Sequence, residues 1–157
     1  EIPASGVEGV MVPQGGVDGG FSFYVQGGKL RYAYNYVADQ HFEIVSDSDV
    51  PSGRHILSFE FQPTAEPEPL KGKGSPGSLL LFADGEQIGS GELPVTIPLS
   101  LGLAAGVSIG RDAGAPVTTA YQPPFAFTGT IARVVYDISG EHVVDHEAEF
   151  RIALARQ

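Results

Sequence analysis

GVSIGRDAGAPVTTAYQPPFAFTGTI, residues 106–131, is the stretch around which the chain is read. Val107 and Ile109 form a short apolar strand. A long turn follows on Gly110, Asp112, Gly114 and Pro116. Phe125, Phe127, Gly129 and Ile131 then carry the chain back into a sheet. A polar rim loop between two buried strand ends is the anatomy of a β-sandwich. The return strand is expected to run from Phe125 to Ile138 and to be the longest of the chain. Its apolar positions change parity, from Phe125 and Phe127 to Ala132, Val134, Tyr136 and Ile138. A period-2 strand changes parity only by inserting a residue, so a bulge is expected at Gly129–Thr130.

Upstream the same period recurs. Phe21, Phe23 and Val25 alternate with Ser22, Tyr24 and Gln26. Leu30, Tyr32, Tyr34 and Tyr36 alternate with Arg31, Ala33 and Asn35. Gly27-Gly28 between these runs is a two-residue hairpin turn, and Asp84-Gly85 between Leu79–Ala83 and Glu86–Ser90 is another. Val7–Val12, His41–Ser46 and His55–Phe61 read as further strands. Gln14–Gly20 and Asp47–Gly53 read as turns. Two prolines, Pro94 and Pro98, confine any strand in Leu93–Leu103 to a short or edge piece. Gln62–Ser78, rich in Pro, Gly, Glu and Lys, reads as an exposed, mobile loop within the domain. Asp145–Gln157 is the one candidate helix: Asp145 suits the cap, and Glu147 and Glu149 suit the first turn. The alternation of Phe150, Ile152 and Leu154 also fits a strand. About ten short strands with turn signals between them predict an all-β, two-sheet antiparallel sandwich, as a single domain over residues 1–157.

A chain of 157 residues with 42% hydrophobic residues is enough for one domain with a core. The net charge of −10 disfavours nucleic acid and anionic membrane surfaces as partners. No cysteine is present, which removes disulfides, thiol catalysis and thiolate-bound metals. No Gly-x-Ser-x-Gly elbow and no strand-borne pair of acids for a glycosidase occurs. His142 and His146 are four apart, but they read as a solvated turn rather than as ligands of one ion. Asp112 either caps its own turn or holds Ca²⁺ at the sandwich rim, for which Asp47 and Asp49 are further candidates. The tyrosines Tyr32, Tyr34 and Tyr36, with Tyr24 across the hairpin, either stack on sugar rings or pack inside the domain.

The ordered set of motifs is similar to one known family. Gly15-Gly16, Gly19-Gly20-Phe21 to Val25, Gly28-Lys29-Leu30 and Tyr34-Asn35 come first. Pro51-x-Gly53-x-His55, Phe59-Glu60-Phe61, Asp84-Gly85 with Ile88-Gly89, and Pro94-x-Thr96-x-Pro98 follow. Gly110-x-Asp112-x-Gly114-x-Pro116-Val117, Tyr121 and Phe125-x-Phe127-x-Gly129-x-Ile131 close the series. From Ile2 to Ile138 the chain resembles the C-terminal domain of bacterial arylsulfatases. That resemblance implies a concanavalin A-like, laminin-G-like jelly roll. It also implies a sulfatase catalytic domain in the same protein, upstream of Glu1-Ile2-Pro3. The C/S-x-P-x-R motif that yields the family's formylglycine nucleophile does not occur here, nor do its calcium-ligating Asp and Asn clusters. The expected role is therefore non-catalytic, with no cofactor of its own: packing on the catalytic domain or shaping access to its active site. The alternative is a glycan-binding module of the lectin or laminin-G type, with carbohydrate as partner and Ca²⁺ at Asp112. Under either reading the candidate contact residues are Tyr34, Asn35, Tyr36, Asp112 and Tyr121.

Overall fold

A computed structural model describes residues 1–98, 106–112 and 114–137. The expected helix at 145–157, and His142 and His146, lie outside the described residues. Among the described residues there are seven strands: β1 (Gly9–Gly16), β2 (Gly19–Gln26), β3 (Lys29–Tyr36), β4 (Gln40–Asp49), β5 (Leu57–Pro63), β6 (Gly77–Ala83) and β7 (Glu86–Leu93). They form two antiparallel sheets, ordered β1-β2-β3-β4 and β5-β6-β7. The two sheets pack as a β-sandwich, as the alternation predicts.

Both two-residue turns fall where the sequence places them. Gly27 and Gly28 take φ of 62° and 75°, and Asp84 and Gly85 take 52° and 83°. Positive φ at both central residues is the type I′ geometry that follows the twist of paired strands. In-register pairing then puts Phe23, Tyr32 and Ile44 side by side, with Val25 opposite Leu30. These side chains meet Leu79, Leu81 and Leu93 of the second sheet in one buried cluster. Phe59 of β5 anchors the contact, 5.1 Å from Phe23 and 4.8 Å from Tyr32 between ring centroids.

Several sequence expectations are corrected. β1 does not stop at Pro13 but runs to Gly16, so the turn contracts to Val17-Asp18. Pro13 sits on an edge strand, and its carbonyl accepts the Ser108 N–H at 3.2 Å, away from β2. The N–H and C=O of a strand residue point the same way, so the missing proline donor is not needed by the ladder. β4 likewise runs on to Asp49, through a bulge opposite Leu30. The loop 62–78 is partly ordered by a 3-10 turn at Pro69–Lys71. It is also tied by Gly74 N–H to the Thr96 carbonyl and by Tyr36 Oη–H to the Gly72 carbonyl.

The largest correction concerns 125–138. From Phe125 to Asp137 no regular strand forms, and the one bridge is Ala126 with Val10. Ile138 lies outside the described residues. The backbone donors explain this. Phe127 N–H reaches the Gly110 carbonyl, Thr128 N–H that of Glu8, and Thr130 N–H that of Glu1. Partners on three different segments cannot make one ladder. The bulges of the sheets fall elsewhere, at Met11 in β1 and at Ile88 in β7 as well as in β4.

Gly9 permits the close approach of this segment. It holds φ of 109°, and a Cβ there would lie 2.0 Å from the Ala126 carbonyl oxygen. Gly9→Ala is therefore expected to destabilise the chain by about 2–4 kcal/mol, from backbone strain and overpacking together, in urea unfolding. A change below about 0.5 kcal/mol contradicts the placement of 125–127 on β1.

Candidate functional site

Strands β1, β2 and β3 of the four-stranded sheet are largely buried on both faces, whereas the outer side of β4 is exposed. The sheet's inner face carries the sandwich core. Its outer face presents Val10, Ser22, Tyr24 and Ala33, and residues 117–125 lie across them. The Tyr121 ring meets Tyr24 edge-on at 5.1 Å and stacks on Phe125 at 5.0 Å. Alternation of β2 is the local cause. With Phe21 and Phe23 turned inward, Ser22 and Tyr24 point outward to the covering segment.

Polar atoms continue this contact. Tyr121 Oη–H donates to Asp112 Oδ2 at 2.7 Å. Its single proton is thereby engaged, so at the 2.8 Å contact with Ser22 the serine hydroxyl is the donor. Asp112 Oδ1 accepts the Gly114 N–H at 3.4 Å. Tyr121 and Asp112 are each 5% exposed. Burial, and after it the neighbouring Asp112 carboxylate, pushes the Tyr121 phenol far above its ordinary range, opposed by the Ser22 bond. The hydroxyl is thus neutral at all physiological pH. Asp112 acts as the turn-capping acceptor that its loop position suggests, with both oxygens engaged by protein donors. Nearby, Tyr24 Oη–H donates to Glu43 Oε1 at 2.5 Å, and Arg31 Nη1 pairs with the same oxygen at 3.1 Å. Burial and then the Glu43 carboxylate raise the Tyr24 phenol as well.

The other candidate residues stand apart from this group. Tyr34 is on the inner face, and its hydroxyl accepts the Ile97 N–H at 2.7 Å. Its pKa is raised, chiefly by burial. Tyr36 is half-buried on the same face, its hydroxyl on Gly72. Asn35 is fully buried on the outer side. Its amide donates to the Gly16 and Val17 carbonyls at 3.2 and 2.9 Å, and its Oδ1 accepts the Ala38 N–H at 2.8 Å. It thereby joins the β1–β2 turn to the β3–β4 turn. That second turn holds Val37 and Ala38 at positive φ, 45° and 60°, a conformation that non-glycine residues rarely take without such support. The structure therefore brings Asp112 and Tyr121 together, with Ser22 as a third member. It separates them from Tyr34, Asn35 and Tyr36. Among the described residues no three His, Asp or Glu side chains converge as metal ligands do. No helix among them is long and apolar enough to cross a membrane.

One polar pair is not evident from composition or motif. His55 Nδ1 lies 2.6 Å from Asp84 Oδ2, and Nε2 lies 2.9 Å from the Ser52 carbonyl. Both ring nitrogens face acceptors, which only the imidazolium satisfies. The bond to Asp84, then that to Ser52, raises the His55 pKa above its ordinary 6.5. Reciprocally, the His55 bond and the Ile56 N–H lower Asp84 below 3.8. The signal available in sequence was the Asp of the I′ turn, whose side chain is free to reach the chain entering β5.

Compared with protein-family models, with curated protein sequences and with solved structures, the chain gives no match.

The His55–Asp84 contact fixes a pH dependence. The folded chain holds the His55 proton more tightly than the unfolded chain does. This stabilisation is full below the ordinary histidine pKa and is lost as pH rises through the higher folded value. The Asp84 contribution runs the other way, present above 3.8 and lost as pH falls through its lowered value. The Tm difference between the chain and His55→Gln is expected to be larger near about pH 5.5 than near about pH 9. The His55 ring should titrate by NMR with a midpoint above 6.5. An equal Tm difference at both pH values, or a midpoint at or below 6.5, contradicts the assignment.

Proposed function

We propose that this chain is a non-catalytic module of an arylsulfatase-like sulfate-ester hydrolase, packing on the catalytic part of the same protein and shaping the approach to its active site. The motif series from Gly15 to Ile131 is the basis of the reading. The observation that supports it over carbohydrate binding is the engagement of Tyr34, Asn35, Asp112 and Tyr121 inside the domain. A lectin of the kind weighed above needs tyrosine faces open to a sugar. Here the Tyr121 ring lies between Tyr24 and Phe125, and the Tyr34 hydroxyl is taken by backbone.

The rim segment offers a surface for such packing. Val107 and Ile109 are exposed, while the peptide groups beside them are tied to β1 through Ser108 and Gly110. Two apolar side chains held outward on a fixed backbone suit a contact with a neighbouring domain.

The protein that carries this chain is expected to hold a C/S-x-P-x-R motif N-terminal to Glu1 and to hydrolyse p-nitrophenyl sulfate. Residues 1–157 alone are expected to leave that ester intact. In the whole protein, Val107→Asp with Ile109→Asp is expected to change KM or thermal stability of the hydrolase and to leave the isolated module folded. Hydrolysis by residues 1–157 alone, or a whole protein without the motif, contradicts the proposal.

A further inference from the structure

An aspartate followed by glycine is open to isomerisation, because glycine has no side chain to shield its peptide nitrogen. In that reaction the glycine nitrogen attacks the aspartate Cγ. The N–Cγ bond forms, the nitrogen gives up its proton, and one carboxyl oxygen leaves as water. The product is a five-membered cyclic imide. Water then opens the ring at either carbonyl, and opening at the backbone carbonyl leaves isoaspartate, with the main chain running through the side-chain carbon. One water is lost and one regained, so no oxidant or reductant takes part. Two pairs in the sequence have this form, Asp18-Gly19 and Asp84-Gly85. Both sit where one strand turns into the next, β1 into β2 and β6 into β7.

Their surroundings are opposite. Asp84 is held at three atoms: its N–H donates to the Ile56 carbonyl at 2.8 Å, its Oδ1 accepts the Ile56 N–H at 2.8 Å, and its Oδ2 lies 2.6 Å from His55 Nδ1. Both carboxylate oxygens are thereby committed to the chain entering β5, so Cγ is free to swing toward the Gly85 nitrogen only when these bonds open. The His55 bond also lowers the Asp84 pKa, which leaves less of the neutral carboxyl that loses water. Asp18 is exposed, and its side chain makes no hydrogen bond or ion pair among the described residues. We propose that Asp18-Gly19 is a site of spontaneous isoaspartate formation in the folded chain, and that His55 and the Ile56 N–H protect Asp84-Gly85 from the same reaction. The change at Asp18 adds one methylene carbon to the backbone of the β1–β2 turn, beside the Gly16 and Val17 carbonyls that Asn35 holds.

The test ages the full chain for several weeks at body temperature in mildly acidic buffer, where His55 carries its proton. Isoaspartate is then measured at each site by peptide mapping with electron-transfer fragmentation. The Asp18 peptide is expected to hold at least about fivefold more isoaspartate than the Asp84 peptide, since hydrogen bonds to a charged group oppose local opening. In concentrated urea that ratio is expected to fall below about twofold, because the unfolded chain holds neither carboxylate. His55→Ala is expected to raise the Asp84 product at least about threefold and to leave Asp18 unchanged. A smaller ratio in the folded chain, no isoaspartate at Asp18, or a ratio that persists in urea overturns the proposal. So does a His55→Ala chain, folded by near-UV circular dichroism, whose Asp84 product fails to rise. Should that variant not fold, the comparison of the folded and urea-unfolded parent chain decides the matter without it.

Discussion

The hydroxyl of Tyr121 is the point on which the outer half of the structure depends. It accepts a hydrogen bond from Ser22 on β2 and donates one to Asp112 in the rim loop, so a single phenol ties that loop to a strand residue 99 positions before Tyr121. The ring beneath it seals the outer face of β2 against Tyr24. A buried carboxylate without such a donor would carry a desolvation penalty of about 1–3 kcal/mol or more, which is why ring and loop are held as a unit. Everything from Val107 to Phe127 then follows as a strap. Its peptide groups bond in turn to Pro13, Met11, Val10 and Gly110.

The aromatic residues divide by face, and this division explains their number. Phe21, Phe23 and Tyr32 turn inward around Phe59 and join the two sheets. Tyr24 turns outward under Tyr121 and Phe125. One hairpin therefore feeds two separate apolar clusters, one on each side of the same sheet. A tyrosine ladder that in isolation fits either a sugar platform or packing inside the domain forms in this context two packing surfaces. Its hydroxyls are bonded to the Ile97 amide, the Gly72 carbonyl and Glu43.

The legible parts of the fold are those whose cause is local. The hairpins at Gly27-Gly28 and Asp84-Gly85 follow from turn residues and alternation within some twenty positions, and the two-sheet architecture follows from them. The glycines of 14–20 misled for a physical reason. Gly20 stands at φ of 128°, and a Cβ there would meet the Gln14 carbonyl oxygen at 2.0 Å. It therefore serves a close strand approach rather than a turn. The segment 125–137 was beyond local reading, since its donors end on Glu1, Glu8 and Gly110, and no alternation encodes partners that distant. Within the candidate site, Asp112 and Tyr121 share one loop and could be grouped from sequence. Ser22, on an outward strand position, and the His55–Asp84 pair become visible only once the strands are paired.

The rim stretch is a structural strap fastened by Tyr121, with Val107 and Ile109 exposed on it. A double-mutant cycle on Ser22→Ala and Tyr121→Phe, followed by urea unfolding, tests that fastening most directly. Tyr121→Phe keeps the ring and removes both hydrogen bonds. It is expected to cost about 1–3 kcal/mol, and the two substitutions together are expected to cost less than the sum of each alone by about 0.5 kcal/mol or more. Tyr121→Phe within about 0.5 kcal/mol of the parent chain, with no coupling to Ser22, would contradict the account.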